Sequence, residues 1–267
     1  MLESTYREAP TMLKVYDEVQ LTDQEKASAL RDARAKKYWK LQDELKQQQK
    51  IEAYKEMRRM WTYQEQYDHA SAEANRLAIL GGKKQYDFDE FSKPIFHLLT
   101  QYFTNDPAFE KEGRSLSKGI MLMGNVGTGK TDLLKSFQVN KRMCFFVENC
   151  INIEALIRDN GLTYWKTFTG FCPTSINPHF FYQENIGWLF DDLGTEEVIK
   201  DYGNPLDAMD RIFHQRYLEK EKIPFCSAHI TMNLNAQNIE DRYGLRMRSR
   251  LREMYNVIEL KGVDRRK

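Results

Sequence analysis

The stretch Gly119-Ile-Met-Leu-Met123-Gly124-Asn125-Val126-Gly127-Thr128-Gly129-Lys130-Thr131 decides how the rest of this chain is read. Its apolar start spells a short strand, the next eight residues fit GxxxxGK[ST], and Asp132-Leu-Leu-Lys-Ser-Phe137 reads as a helix. Glycines at 124, 127 and 129 let the backbone wrap closely around a phosphate chain, with loop amides and the helix start supplying partial positive charge. Lys130 then reaches the β- and γ-phosphates, and the Thr131 hydroxyl ligates Mg²⁺. A glycine-rich turn with an exposed lysine is the bland alternative. It loses because the motif is complete and correctly flanked on both sides.

A phosphate loop needs a carboxylate to hold the metal, normally at the end of a neighbouring strand, and Ile186-Gly-Trp-Leu-Phe190-Asp191-Asp192 supplies one. Asp191 would orient Mg²⁺. Asp192 stands where the additional-strand class of P-loop ATPases keeps an acid that polarises the attacking water. That acid is Asp rather than the longer Glu, so Glu196 in Leu193-Gly-Thr-Glu-Glu197 is a second candidate for the task. Further on, Phe225 to Ile230 reads as a strand between those two, and Thr231-Met-Asn233-Leu places an amide at its tip, where Asn233 could hold the lytic water or sense the γ-phosphate. Met143 to Val147 and Asn256 to Leu260 complete the set. Five short buried strands alternating with helices predict an α/β P-loop domain with a mostly parallel sheet.

Ile239 to Met254 reads as one helix with an apolar stripe at Met247, Leu251 and Met254. Arg242, Arg246 and Arg250 recur every fourth residue as a separate, outward-facing row. An arginine so placed reaches a neighbouring subunit's γ-phosphate; without the phosphate loop, a solvated or DNA-facing basic surface would be the better reading. The aromatics Tyr164, Trp165, Phe168, Phe171, Phe180, Phe181 and Tyr182 carry only Lys166 among them, which favours core packing over base stacking.

Composition sets limits on the rest. In 267 residues, 41% are hydrophobic and 30% charged, with mean hydropathy −0.68, so part of the chain is solvated helix. No apolar run approaches the ~20 residues of a membrane span and the start carries no apolar signal core, which predicts a cytoplasmic protein. Cys144, Cys150, Cys172 and Cys226 form no CxxC pair and read as reduced thiols rather than a zinc site or disulfide framework. The net charge of +1 conceals two basic zones: 21–60 holds 11 Lys/Arg against 7 Asp/Glu, and 241–267 holds 9 against 4. Thr22-Asp-Gln-Glu25 is a capping box, and from Leu21 to Leu80 there is neither Pro nor Gly, while apolar residues recur at steps of three or four. The expected organisation is a helical partner-binding module at 1–80, a linker at 81–88 opening on Gly81-Gly82, and the ATPase domain at 89–267.

With these motifs in place, the chain from about residue 90 resembles the bacterial replicative-helicase loaders of the DnaC type and the related IstB-type transposition helper ATPases, within the AAA+ superfamily. The marks are GNVGTGKT, the FDDLG strand end, Arg216-Tyr217, TMNL, RYGLRMRSRL and the closing GVDRR. The resemblance implies a AAA+ core with little or no helical lid, ATP and Mg²⁺ as cofactors, ATP hydrolysis, and a homo-oligomer whose interface carries Arg250 as the finger and Arg246 beside it. It implies Arg265 or Arg266 in place of a lid sensor. It also implies DNA, single-stranded by preference, and a replicative helicase or a transposase as protein partner. The N-terminal 80 residues carry no Cys/His cluster such as some loaders use to bind zinc. A small-molecule P-loop kinase and a purely structural nucleotide-binding module are the readings outside this class.

Overall fold

Alternation along Gly119–Met123 (β1) sends Ile120 and Leu122 to one face of a sheet and Met121 to the other, and all three are buried. This places β1 inside a sheet covered on both sides. The computed structural model describes residues 20–173, 185–201, 204–233 and 235–265; Phe180, Phe181, Tyr182 and Arg266 lie outside them. The other strands are Phe145–Asn149 (β2), Gly187–Leu193 (β3), Ala228–Met232 (β6) and Tyr255–Glu259 (β7). Their order is β2-β3-β6-β1-β7, with every pair parallel. The expected α/β P-loop fold is therefore present, with β6 between the phosphate-loop strand and the carboxylate strand. Ile199–Asp201 (β4) and Asn204–Leu206 (β5) form a separate antiparallel pair.

Strand limits shift for local reasons. Asn140 caps a tight turn at Lys141–Met143, which delays β2, and Phe225–Ser227 forms another such turn after Pro224, so β6 starts at Ala228. By contrast β3 runs through both aspartates to Leu193, with a bulge after Phe190.

The chain divides into two compact units, Met1–Glu56 and Met57–Lys267. In the second, Tyr63–Leu80 (α2), Ser92–Phe103 (α3) and Lys130–Lys135 (α4) cover the sheet face carrying Ile120 and Leu122. Cys150–Asn160 (α5), Ala208–Leu218 (α6) and Ala236–Met254 (α7) cover the other. Ala70, Ala74 and Ala78 lie every fourth residue along α2 and are buried in the same core as Phe96, Phe103 and Phe137. The small side chains let this helix approach closely. Thus the boundary expected at Leu80 falls inside a packed unit: the glycines after Leu80 close α2 with the expected cap, Lys83 N–H donating to Ala78 O and Gly82 N–H to Ile79 O, but the chain turns there without leaving the core. A second capping box, Thr62 with Glu65, starts α2.

In the first unit, Asp23–Met57 (α1) opens on the predicted capping box, with Thr22 N–H donating to Glu25 at 2.8 Å. Over 35 residues its apolar side chains drift around the helix instead of holding one face, and Leu30, Tyr38, Trp39, Leu41, Leu45 and Ile51 are all exposed. Among the described residues no helix is long and apolar enough to cross a membrane, and all four cysteines are free.

Candidate nucleotide-binding site

The loop Gly124–Gly129 leaves β1 and turns into α4, and its shape depends on glycine at a specific point. Gly127 sits at φ 80°, and a Cβ there would meet the Asp264 carboxylate at 1.9 Å. The segment after β7 folds back over the loop: Arg265 N–H donates to Gly127 O at 2.8 Å. The Arg265 guanidinium then ties this segment to the stretch ahead of α3, through Asp89 at 2.5 Å and Asp87 O at 2.8 Å.

Below this strap lies a cleft of about 430 Å³ lined by Val126, Gly127, Gly129, Lys130, Thr131, Asp191, Asp192 and Asn233, together with Lys83 and Arg265. Lys130 is nearly buried and its Nζ donates to Gly124 O at 2.9 Å, Asn125 O at 2.7 Å and Asn233 Oδ1 at 2.6 Å. Thr128 is buried and its hydroxyl donates to Asn125 O, which holds the loop's own turn. Asp191 Oδ1 accepts from the hydroxyls of Thr131 and Thr231, each at 2.7 Å. A hydroxyl and a carboxylate oxygen at the cleft are hard donors that suit Mg²⁺, and among the described residues no cluster of three His, Cys, Asp or Glu offers a protein-only metal site. The donor set therefore fits an ion that also takes phosphate oxygens and water.

The bulge in β3 puts Asp192 at φ 55°, a left-handed conformation uncommon outside Gly that Asp tolerates better than most side chains. Its N–H donates to Thr231 Oγ1 at 2.9 Å, and Asn233 Nδ2 approaches its carboxylate at 3.5 Å. Asp192 thus reaches the cleft beside Asn233. Glu196 does not: it is 4% exposed, accepts from Gly194 N–H at 2.9 Å and from the Tyr243 hydroxyl, and faces Arg242 at 3.7 Å. Burial and the Glu196 carboxylate push the Tyr243 hydroxyl far up, so it stays a donor.

The arginine row is corrected by the structure. Gly244, at φ 82° and ψ 164°, breaks α7 between Arg242 and Arg246, so the i, i+4 relation does not carry across it. Arg242 pairs with Asp207 at 2.7 Å, Arg246 is exposed, and Arg250 is 9% exposed rather than outward-facing. Arg250 contacts His214 Nδ1 and lies 4.9 Å from the Tyr217 ring centroid. Burial, then the charges of Arg250 and Arg246, hold the His214 pKa below its usual value, leaving a neutral acceptor for the guanidinium. Arg246 and Arg250 line a second cavity of about 490 Å³ with Trp165, Asp210 and His214, and it shares no lining residue with the phosphate-loop cleft. The Met247, Leu251 and Met254 stripe is buried as expected.

Of the described aromatics, Phe168 is core, and Tyr164 and Trp165 pack on it. Arg216 is a structural cation: its guanidinium donates to the carbonyls of Phe168, Thr169 and Gly170 and to Ser227 Oγ at 2.6 Å. Sequence reading missed Thr231 and Lys83. The first had a signal, a hydroxyl two residues before Asn233 on the strand beside the aspartates; the second had none.

No family model matches this chain, and no curated protein matches it. Among solved structures it is similar to the crystal structure of the DnaC helicase loader, at 21% identity and a TM-score of 0.44 over 66% of this chain and 94% of that one.

Proposed function

We propose that this chain is an ATP-binding and ATP-hydrolysing AAA+ protein of the helicase-loader type, acting on DNA with a protein partner. What carries the reading is the convergence in one cleft of Lys130, Thr131, Asp191, Asp192 and Asn233, which lie on or just past the ends of three adjacent parallel strands, Lys130 and Thr131 at the start of α4. Gly124, Asn125, Val126, Gly127, Thr128 and Gly129 wrap the phosphates, and Lys130 exchanges its carbonyl contacts for the β/γ oxygens. Thr131 and Asp191 would hold Mg²⁺, which when bound offsets phosphate charge. Asp192 accepts the proton of the attacking water, and Asn233 orients that water or senses the γ-phosphate.

Arg250 and Arg246 line a cavity separate from their own cleft. They serve a neighbouring subunit's ATP, so hydrolysis depends on assembly. The protein partner docks on α1, where Leu30, Leu41 and Leu45 share one exposed face, spaced by eleven and four residues. A replicative helicase is the partner this reading names, and a transposase is the alternative.

The test of the core reading is Lys130→Ala, which removes the one lysine of the loop. ATP binding or turnover should be abolished in purified protein. Wild-type values in both assays would remove the phosphate-loop assignment.

A further inference from the structure

We propose that one face of α1 is a contact for single-stranded nucleic acid, with Tyr38 and Trp39 as the stacking platform and Arg31 and Lys46 as phosphate contacts. The two rings meet edge to face, 5.4 Å between centroids, while remaining 56% and 62% exposed. At about 100° per residue, Arg31, Ala35, Gln42 and Lys46 fall on the same side of the helix as the rings, and Arg31 and Lys46 stand about 10 Å to either side of them. Between Ser28 and Gln49 the carboxylates are Asp32, Asp43 and Glu44; Asp32 and Asp43 lie beyond the Trp39 edge of this strip, outside the span from Tyr38 to Trp39 that holds Arg31 and Lys46, and Glu44 lies on the far side. Lys40 pairs with Glu44 on another side, at 3.9 Å. Among the described residues no carboxylate lies within ion-pair distance of Lys46.

The rings edge a strip about 100° wide whose other members, Arg31, Ala35, Gln42 and Lys46, are polar or small, with Leu41 and Leu45 beyond its Tyr38 edge. A partner helix would favour the Leu30, Leu41 and Leu45 face, which lies roughly 100° away. A membrane surface would favour a continuous apolar face, and Gln42 interrupts this one. Single-stranded bases match it, because every base presents a π-face to a ring while its phosphate meets a flanking cation. A duplex hides those faces by stacking.

The assignment rests on the nucleic-acid half of the function proposed above, and the experiment separates the two. Full-length protein is titrated against a labelled 20-residue oligothymidylate, a 20-base-pair duplex and vesicles rich in phosphatidylserine, with and without ATP. The oligothymidylate should bind in preference to the duplex. Tyr38→Ala and Trp39→Ala should each weaken it roughly tenfold, and Trp39→Phe should recover most of the loss. Arg31→Gln with Lys46→Gln should reduce the slope of log affinity against log salt by about 1.4. Ile51→Ala, exposed on the opposite side of the helix, should leave it unchanged. All these positions are exposed, so the fold survives the changes. Oligothymidylate binding that ignores the ring variants overturns the site while a DNA-engaging ATPase stands. No oligothymidylate binding by wild type overturns both the site and that half of the function. Binding to vesicles that depends on Trp39, without binding to the oligonucleotide, reassigns the face to lipid.

Discussion

Lys130 Nζ and Asn233 Oδ1 stand 2.6 Å apart across 103 residues of chain. One amide therefore bridges the phosphate-loop cation and, through its Nδ2 at 3.5 Å, the Asp192 carboxylate. Asn233→Ala should leave ATP affinity within a few-fold, since the loop amides and Lys130 remain. Turnover should fall by about 10², the loss typical of one preorganised hydrogen-bonding group. Single-turnover assays beside equilibrium binding read the two effects apart, and an unchanged hydrolysis rate would take Asn233 out of the site.

Thr231 has no predicted role, yet its hydroxyl donates to Asp191 and accepts from the Asp192 N–H. Thr231→Val keeps the shape and removes both bonds. A part-buried N–H loses its acceptor, which costs about 1 kcal/mol of stability. Activity should drop together with stability because both aspartates lose the same anchor. Denaturant unfolding and ATPase rates on one preparation check this; a variant with full stability and activity would show the hydroxyl to be incidental.

The phosphate loop, both aspartates and Asn233 were legible because each is a local signal: a complete motif, a strand end, a strand tip. The place of β6 between β1 and β3 followed once those motifs were ranked, while the outer positions of β2 and β7 did not. What sequence spacing did not show was tertiary. A single residue, Gly244 at φ 82°, breaks the arginine row that a continuous helix would have displayed. The alanines of α2 gave no boundary signal, since small residues read equally well as a solvated helix or a close-packed one, and only the sheet beneath them decides. Glu196 looked available from the sequence because its partners, Tyr243 and Arg242, lie more than forty residues away.

The location of the unit boundary has a direct consequence. Deleting residues 1–56 removes no member of the sheet core and should leave a folded protein that binds ATP and no longer co-purifies with its partner. Deleting 1–80 also strips Ala70, Ala74 and Ala78 from Phe96 and Phe137, and should give insoluble or molten protein. Thermal unfolding of the two truncations distinguishes them, and equal stability would return the boundary to Leu80.

His229 sets an acid limit on stability. It is buried, accepts the Ile120 N–H at 3.1 Å through Nδ1, and is surrounded by Tyr102, Phe103 and Phe145. Burial, with Arg216 nearby, pulls its pKa down to about 3. The unfolded chain takes up the proton near pH 6.5 while the folded chain refuses it until about pH 3, so stability is full above 6.5 and declines as pH falls through that window. The decline attributable to this residue approaches about 1.4 kcal/mol per pH unit. His229→Asn keeps an acceptor without the titration; it should be less stable at pH 7 yet lose less between pH 6 and 4.5. Parallel pH profiles for the two proteins would contradict this origin.

Arg250 separates an assembly-dependent ATPase from a self-sufficient one. Its guanidinium is held by His214 and Tyr217 in a cavity apart from its own phosphate loop, and the proposed role for it there is on a neighbour's nucleotide. Arg250→Ala should therefore keep ATP affinity, because Lys130, Thr131 and Asp191 are untouched, and lose turnover on the order of 10³. Mixing then supplies the decisive comparison. An Arg250→Ala subunit carries an intact loop and a Lys130→Ala subunit an intact finger, so two inactive proteins should recover part of the activity where they meet. The recovery should climb with protein concentration, as association demands. Normal hydrolysis by Arg250→Ala alone, or a mixture that stays inactive at concentrations where wild type works, would end the intersubunit mechanism and leave Arg250 a buried structural cation and Arg246 an exposed one.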